Sequence, residues 1–190
     1  HLAIHPSAPH LGLGRPGAAG TLTANGRATG PRDTPRLRGS VRATNLVADD
    51  VAAASVTGDV DLDLAGPLQA DLVALSLVVA EQELDSAHVV LSGSRERHEL
   101  ELMAAGPGLA IDVSAAGGLD AADRGSGVVD TVHLAADTIG TWELTAPAAL
   151  TLGPGAAAGP ETGAGSADEF GVRFEQICVE SPPAARICAE

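Results

Sequence analysis

Cys178 and Cys188 are the only cysteines in the 190-residue chain, and their spacing is its clearest chemical signal. They lie ten residues apart and symmetrically about Pro183, so a hairpin that turns there places them opposite each other on neighbouring strands. Cross-strand Cβ atoms lie about 4.5–5.5 Å apart, which is close to what a disulfide requires. A disulfide is therefore expected in an oxidising compartment, and two buried free thiols are the alternative.

Asp59, Asp61 and Asp63 have the alternate spacing with which a calcium-binding loop begins. An EF-hand loop also needs glycine at its sixth position for the turn and glutamate at its twelfth position as a ligand. Here the sixth position is Leu64 and the twelfth is Ala70. The alternation of a β-strand explains the aspartates better, and the sequence predicts no metal and no cofactor.

Residues 12–17, G-L-G-R-P-G, match the dinucleotide-binding fingerprint by letter. That fingerprint requires a preceding strand and a following helix whose amides face the pyrophosphate. Pro16 removes one of these amides, and A-A-G-T-L-T follows in place of a helix. We attribute the match to chance in a glycine-rich chain.

The six histidines are dispersed, with three in the first ten residues and three lying singly within predicted strands. The chain has no Gly-x-Ser-x-Gly elbow, no phosphate-binding loop and no zinc-protease motif. The residues therefore predict no active site and a protein that is not an enzyme.

The composition favours a thin sheet over a thick globule. Hydrophobic residues make up 45% of the chain but aromatic residues only 2%, so Ala, Val and Leu must supply the buried surface that aromatics usually provide. The net charge of −14 disfavours nucleic acid as a partner. Residues 1–42 nevertheless carry six Arg against one Asp. No apolar run approaches the roughly 20 residues of a membrane-spanning helix.

The segment 55–64, S-V-T-G-D-V-D-L-D-L, alternates strictly between two kinds of side chain. Val60, Leu62 and Leu64 fall on one parity, whereas Asp59, Asp61 and Asp63 fall on the other. Since successive side chains of a strand point to opposite faces, this segment predicts a strand with one apolar and one acidic side.

Short alternating runs separated by turn residues continue along most of the chain, which predicts an antiparallel meander. A weak internal repeat, with an offset of 31 residues, relates the hairpin that starts at residue 43 to the one that starts at residue 74. Such a repeat is expected for a sheet built of repeated hairpins. The predicted strands are 21–28, 36–48, 51–64, 68–80, 84–91, 98–105, 109–114, 128–136, 142–145, 172–180 and 185–189.

Four regions follow from this pattern. Residues 1–35 are predicted to contain one or more N-terminal strands and a Pro/Gly-rich linker, and residues 36–152 to form the meander. Residues 153–169 are predicted to be a low-complexity mobile loop, and residues 170–190 a hairpin with the paired cysteines. The chain starts at His1 inside a patterned region, without an initiating Met or a signal peptide, which suggests a piece of a larger protein.

Two C-terminal segments carry a family resemblance. Residues 127–152, G-V-V-D-T-V-H-L-A-A-D-T-I-G-T-W-E-L-T-A-P-A-A-L-T-L, resemble the TamB family of AsmA-like bridge proteins, in which a short Gly turn precedes W-x-L and then x-P-A-x-L-x-L. Residues 170–190 resemble the paired-cysteine hairpin of that family. The upstream hairpins from residue 36 suit the same family, so the resemblance covers roughly residues 36–190.

The resemblance implies an elongated, curled antiparallel β-sheet that forms an open hydrophobic groove, described in that family as a β-taco. It also implies a periplasmic segment of a protein anchored in the inner membrane, which carries phospholipid acyl chains between the inner and outer membranes. Support of outer-membrane protein assembly, with an Omp85-class barrel protein as partner, is implied as well. Phospholipid is the implied ligand.

The strand alternation selects the residues expected to form the wall of this groove. They are Val60, Leu62, Leu64, Leu75, Leu77, Leu100, Leu102, Leu109, Ile111, Val113 and Leu144. The alternative is a structural or adhesive secreted β-repeat domain in which the same residues form a closed core. A sugar-active β-solenoid enzyme is a weaker alternative, because aromatic residues that usually grip sugars are scarce.

Overall fold

The computed structural model describes residues 2–4, 7–8, 18–31, 34–48, 51–80, 82–120, 124–154, 170–183 and 185–189. Within these ranges every regular element is a β-strand, and all the strands belong to one antiparallel sheet. The all-β prediction is confirmed. The sheet is open, since its path runs from β1 at one end to β15 at the other without closing into a barrel.

The strand bounds follow the predicted pattern closely. The predicted strands 36–48 and 185–189 are matched to the residue, and most others differ by one to three residues at an end. The strands are β1 (Leu2–Ile4), β2 (Ser7–Ala8), β3 (Ala18–Thr29), β4 (Arg36–Ala48), β5 (Val51–Asp63), β6 (Pro67–Val79), β7 (Gln82–Ser94), β8 (His98–Gly106), β9 (Leu109–Leu119), β10 (Gly125–Ala136), β11 (Gly140–Leu144), β12 (Ala148–Pro154), β13 (Phe170–Phe174), β14 (Ile177–Ser181) and β15 (Ala185–Ala189).

From β3 to β10 each strand pairs with the next one in the chain. The 1–35 region therefore contributes β3 to the same sheet, next to β4, and β1 and β2 both pair with β3. Most of the predicted mobile loop, residues 155–169, lies outside the described residues.

Beyond β10 the sheet continues through interrupted strands. β11 and β12 pair with opposite halves of β10, while β14 pairs with β11 and β13 with β12. The single strand expected over 172–180 is therefore two strands, broken at Glu175, whose amide donates to the carbonyl of Ala149. The facing segment breaks between β11 and β12 at Pro147, which has no amide to donate to a ladder.

The strand register divides the side chains into two faces, which we call the apolar face and the polar face. Cross-strand partners share a face, so the sets can be read across the ladders from β4 to β10. Four rows form the apolar face: Leu37–Leu62–Leu68–Gly93–His98–Gly117–Gly127; Gly39–Val60–Ala70–Leu91–Leu100–Ala115–Val129; Val41–Gly58–Leu72–Val89–Leu102–Val113–Val132; and Ala43–Val56–Ala74–Ala87–Ala104–Ile111–Leu134.

An interruption runs across β4 to β7 next to the last of these rows. Asn45 and Ser76 have φ angles of 49° and 50°, in the left-handed region. The register omits both residues together with Ala54 and Asp85 on the intervening and following strands. Asn tolerates this conformation better than most residues, and the strand regains its pairing one residue later.

The interruption resets the alternation of the strands. Beyond it, a fifth apolar row consists of Leu46, Ala53, Leu77 and Leu84, of which Ala53 and Leu84 are buried. Three residues instead of two therefore separate the fourth and fifth rows along each strand.

Burial is concentrated on the apolar face. Apart from Cys178, every buried hydrophobic residue in the described ranges belongs to an apolar row or pairs with one: Ala43, Ala53, Leu68, Leu84, Ala104, Val129 and Ala148. No described polar side chain is buried. The molecule is therefore a thin sheet whose small residues are covered by their neighbours on the same face.

Ser76→Val should lower the free energy of unfolding by about 1–2 kcal/mol, because a β-branched residue is strained at a positive φ. Ser86→Val is the matched control, since Ser86 lies in the adjacent strand at a regularly paired position. Urea denaturation of both variants measures the difference. Equal destabilisation of the two variants would contradict the left-handed conformation at Ser76.

Candidate functional site

The apolar face brings most of the predicted wall residues together. Leu62, Val60, Leu100, Leu102, Val113 and Ile111 occupy the first four rows, and Leu77 lies in the fifth. Leu109 pairs with Gly106, two residues beyond Ala104 of the fourth row, and so shares this face. Leu144 shares the parity of Trp142, which pairs with Leu134 of the fourth row. These nine residues therefore form one surface across β5 to β11.

Two predicted wall residues lie elsewhere. Leu75 pairs with Ser55 and Ser86 on the polar face and is 48% exposed. The left-handed turn of the backbone at Ser76 separates it from Leu77, which simple alternation had placed on the same side. Leu64 follows the end of β5 in a turn, where its amide donates to the carbonyl of Pro35.

Several residues of the apolar face were not among the predicted wall residues. Leu72, Val89 and Leu91 lie in the middle of the second and third rows, between residues that were predicted. The run V-V-L of residues 89–91 shows why they were missed. In that run every residue is apolar, so parity alone does not show which of them faces the apolar side.

The apolar face remains accessible within the described part of the chain. Leu37 and Leu100 are each 39% exposed, and no large side chain there is fully buried. Gly26 of β3 and Gly39 of β4 pair directly, so these two strands present no side chain to the apolar face at that point. A shallow depression of about 110 Å³ lies there, with Leu37, Val41 and Val60 in its lining.

The polar face is organised by one ion pair between β4 and β5. Arg36 donates from Nε and Nη2 to the two carboxylate oxygens of Asp61, at 2.8 Å each. Arg38 approaches the same carboxylate through Nε at 3.3 Å. The hydrogen bonds from Arg36 hold the pKa of Asp61 below its ordinary value, and the same contact raises the pKa of Arg36.

A larger depression, of about 670 Å³, lies on the polar face over β3 to β7. Asp59 and Asp71 are direct cross-strand partners in it, and His88 Nε2 lies 2.9 Å from Asp71 Oδ1. Among the described residues, no group of three or more His, Cys, Asp or Glu could hold a metal ion. The depression is wide and open to solvent, with no nucleophile held against a base.

The predicted disulfide between Cys178 and Cys188 is present and joins β14 to β15. The two residues are direct cross-strand partners with Cα atoms 4.1 Å apart, as the symmetric spacing about Pro183 predicted. Cys178 is buried, whereas β15 is exposed along its length. The bridge therefore fastens the last described strand to the sheet.

The arrangement offers a broad surface for apolar contact. Five mainly aliphatic rows lie beside one another, while the charged side chains at paired positions of β4 to β7 lie on the reverse side among hydroxyls and some apolar residues such as Leu75. The described residues contain no helix that could cross a bilayer.

Comparison with known protein families identifies a match. The model of the family described as TamB, N-terminal domain, matches residues 1–156, which is most of the chain. The cysteine hairpin lies outside that match. The chain matches no curated protein and no solved structure.

Asp61→Asn should lower the free energy of unfolding at neutral pH, because it removes the carboxylate that pairs with Arg36. A carboxyl group whose folded-state pKa is depressed stabilises the fold above its unfolded pKa of about 4 and loses this contribution as pH falls through the folded value. The stability difference between wild type and variant should therefore narrow below about pH 4.

Urea denaturation at several pH values measures this effect. Asp112→Asn on β9 serves as the control for the charge change, and its difference from wild type should be small at every pH. A stability difference between wild type and Asp61→Asn that stayed constant across the acid range would contradict the ion pair.

Proposed function

The chain belongs to the TamB N-terminal domain family, and on that premise we propose that it is a segment of a bridge protein that carries phospholipid acyl chains between two membranes. The acyl chains lie along the apolar face. No covalent chemistry is involved, so the protein acts as a conduit and not as an enzyme.

One observation carries the proposal: the first four apolar rows each cross seven strands, β4 to β10, without a charged residue. Within the first four rows the only titratable side chain from β4 to β10 is His98. Burial of an acyl chain is worth about 0.8 kcal/mol per CH₂ group. Because this attraction is non-directional, a row of aliphatic side chains can hold a chain and also let it slide.

The polar face supports the same role from the other side of the sheet. Its carboxylates, hydroxyls and arginines keep the reverse surface hydrated, and the net charge of −14 keeps a thin sheet soluble. A sheet with one wet and one apolar side can cross an aqueous compartment while it shields lipid on one surface only.

The cellular setting is proposed from the family. We place this segment in the periplasm, as part of a protein anchored in the inner membrane. Supply of lipid toward the outer membrane would accompany a role in outer-membrane protein assembly, with an Omp85-class barrel protein as the partner of another part of the full chain.

The rival is a structural or adhesive β-repeat domain with a closed core. A closed core would cover the large side chains of the apolar face with a second layer. Leu37 and Leu100 remain 39% exposed, and the described residues supply no such layer. This observation favours the open arrangement.

The purified chain should carry phospholipid that mass spectrometry detects after gentle extraction. Photo-crosslinking residues at positions 62 and 102, in place of Leu62 and Leu102, should label that lipid. The same group in place of Asp61 should not label it, because the register places Asp61 on the opposite face between Val60 and Leu62. Equal labelling at the three positions, or no bound lipid, would overturn the proposal.

Leu102→Glu should reduce the co-purified phospholipid by about threefold or more, since a buried carboxylate is costly beside an acyl chain. Leu75→Glu is the matched control, because Leu75 lies on the polar face and should leave the lipid content unchanged. Phospholipid per mole of folded protein is the readout. A loss of the same size in both variants would mean that the two faces do not differ in lipid binding.

A further inference from the structure

Positive charge is concentrated at one end of the sheet, although the chain as a whole carries a net negative charge. β3 and β4 carry four arginines and no Asp or Glu. Three of these arginines, Arg27, Arg36 and Arg38, lie at the end of the strands where β3 leads into β4. We call them the arginine cluster.

The register brings the cluster together on the polar face. Arg27 is the direct cross-strand partner of Arg38, and Arg36 pairs with Thr29 at the last position of the ladder. Like charges directly opposite each other are unfavourable in a sheet unless something of opposite charge lies between them. Among the described residues, carboxylates adjoin the cluster on β5, the other neighbour of β4, where Asp61 and Asp63 pair with Arg38 and Arg36.

Asp61 satisfies only part of the cluster. It accepts hydrogen bonds from Nε and Nη2 of Arg36 and lies 3.3 Å from Nε of Arg38. The Arg38 side chain is nevertheless 75% exposed. Arg27 has no ion pair with any described residue and is exposed. Asp61 therefore holds two guanidinium groups in place, while no ion pair with a described residue engages the side of the cluster toward β3.

A depression of about 500 Å³ opens over this part of the polar face. The three arginines line it together with Asn25 and Thr29, so guanidinium groups dominate its lining, and none of the described residues that line it is a carboxylate. Guanidinium groups bind phosphate oxygens in a planar, bidentate geometry, which makes such a lining suited to a phosphate group.

The cluster lies directly behind the start of the apolar face. Leu37 stands between Arg36 and Arg38 in the chain and points to the opposite side, beside Leu62 of the same row. Arg36 is the first residue of β4, and Arg38 lies only about 7 Å further along the strand. A phosphate that passes from the apolar face around the start of β4 therefore reaches the cluster first.

We propose that the arginine cluster binds the phosphate of a phospholipid headgroup while the acyl chains of that lipid lie on the apolar face beside Leu37 and Leu62. This inference rests on the proposed lipid-carrying function and adds a headgroup site at the β3–β4 end of the sheet. The cluster gives that end of the apolar face a preference for lipids that carry a phosphate.

The test compares two lipids with the same tails by titration calorimetry on delipidated protein. Dihexanoylphosphatidylglycerol carries a phosphate, dihexanoylglycerol does not, and both are used below the concentration at which they aggregate. Inorganic phosphate alone is the third ligand. The variant Arg27→Gln/Arg38→Gln keeps the Arg36–Asp61 pair, and Arg124→Gln/Arg186→Gln makes the same charge change elsewhere in the chain.

In the cluster variant, affinity for the phosphatidylglycerol should fall by about tenfold or more, while affinity for dihexanoylglycerol stays as in wild type. The control variant should bind both lipids as wild type does. Undiminished phosphatidylglycerol binding by the cluster variant overturns the headgroup site but leaves the lipid-carrying function standing. A further outcome is that inorganic phosphate binds wild type as tightly as the lipid does and loses this binding in the cluster variant. That result assigns the site to free phosphate and overturns the headgroup assignment. Failure of wild type to bind either lipid overturns the function and, with it, this inference.

Discussion

The register of the β-ladders is the constraint on which the rest of this structure depends. Because side chains alternate with a period of two, a slip of one residue between neighbouring strands would exchange the two faces of one strand for each other. The direct pairing of Val60 with Gly39 and Ala70 fixes the apolar rows, and the same ladders place Asp61 beside Arg38. Separation of an apolar surface from a charged one is thus a property of hydrogen-bond pairing, and the contacts of individual side chains follow from it.

A single sheet with no covering layer has to be stabilised within its own plane. Backbone hydrogen bonds run through every strand, and small residues such as Ala43 and Ala104 are buried by the larger side chains beside them. The Arg36–Asp61 contact and the hydroxyl pair Thr21–Thr44, whose oxygens lie 2.7 Å apart, add cross-strand links on the polar face. Some of the larger aliphatic side chains, such as Leu37 and Leu100, consequently remain well exposed.

The sequence was sufficient for features that depend on local spacing. Alternation predicted the strands and placed Val60 and Leu62 opposite Asp61, and symmetry about Pro183 predicted the disulfide. Leu75 was misplaced because one left-handed residue, Ser76, shifts the alternation of the residues after it. The sequence does not indicate that a serine within a strand has a positive φ angle. The contact of Arg36 with Asp61 was not predicted because it depends on register between two strands, which composition does not specify. The pairing of β11 with β14 spans more than 30 residues and equally has no local signal.

From β3 to β10 each strand touches little besides the strands before and after it, and this has a consequence for how the protein is made. Contacts between sequence neighbours require only short loops to close, so the entropic cost of each addition is small. Such a chain can add one strand at a time to an edge that is already formed, without waiting for its distant end. Each new strand covers the exposed edge of the one before it, which shortens the time that an unpaired edge is open to aggregation. A meander of this kind is therefore suited to folding strand by strand along the chain.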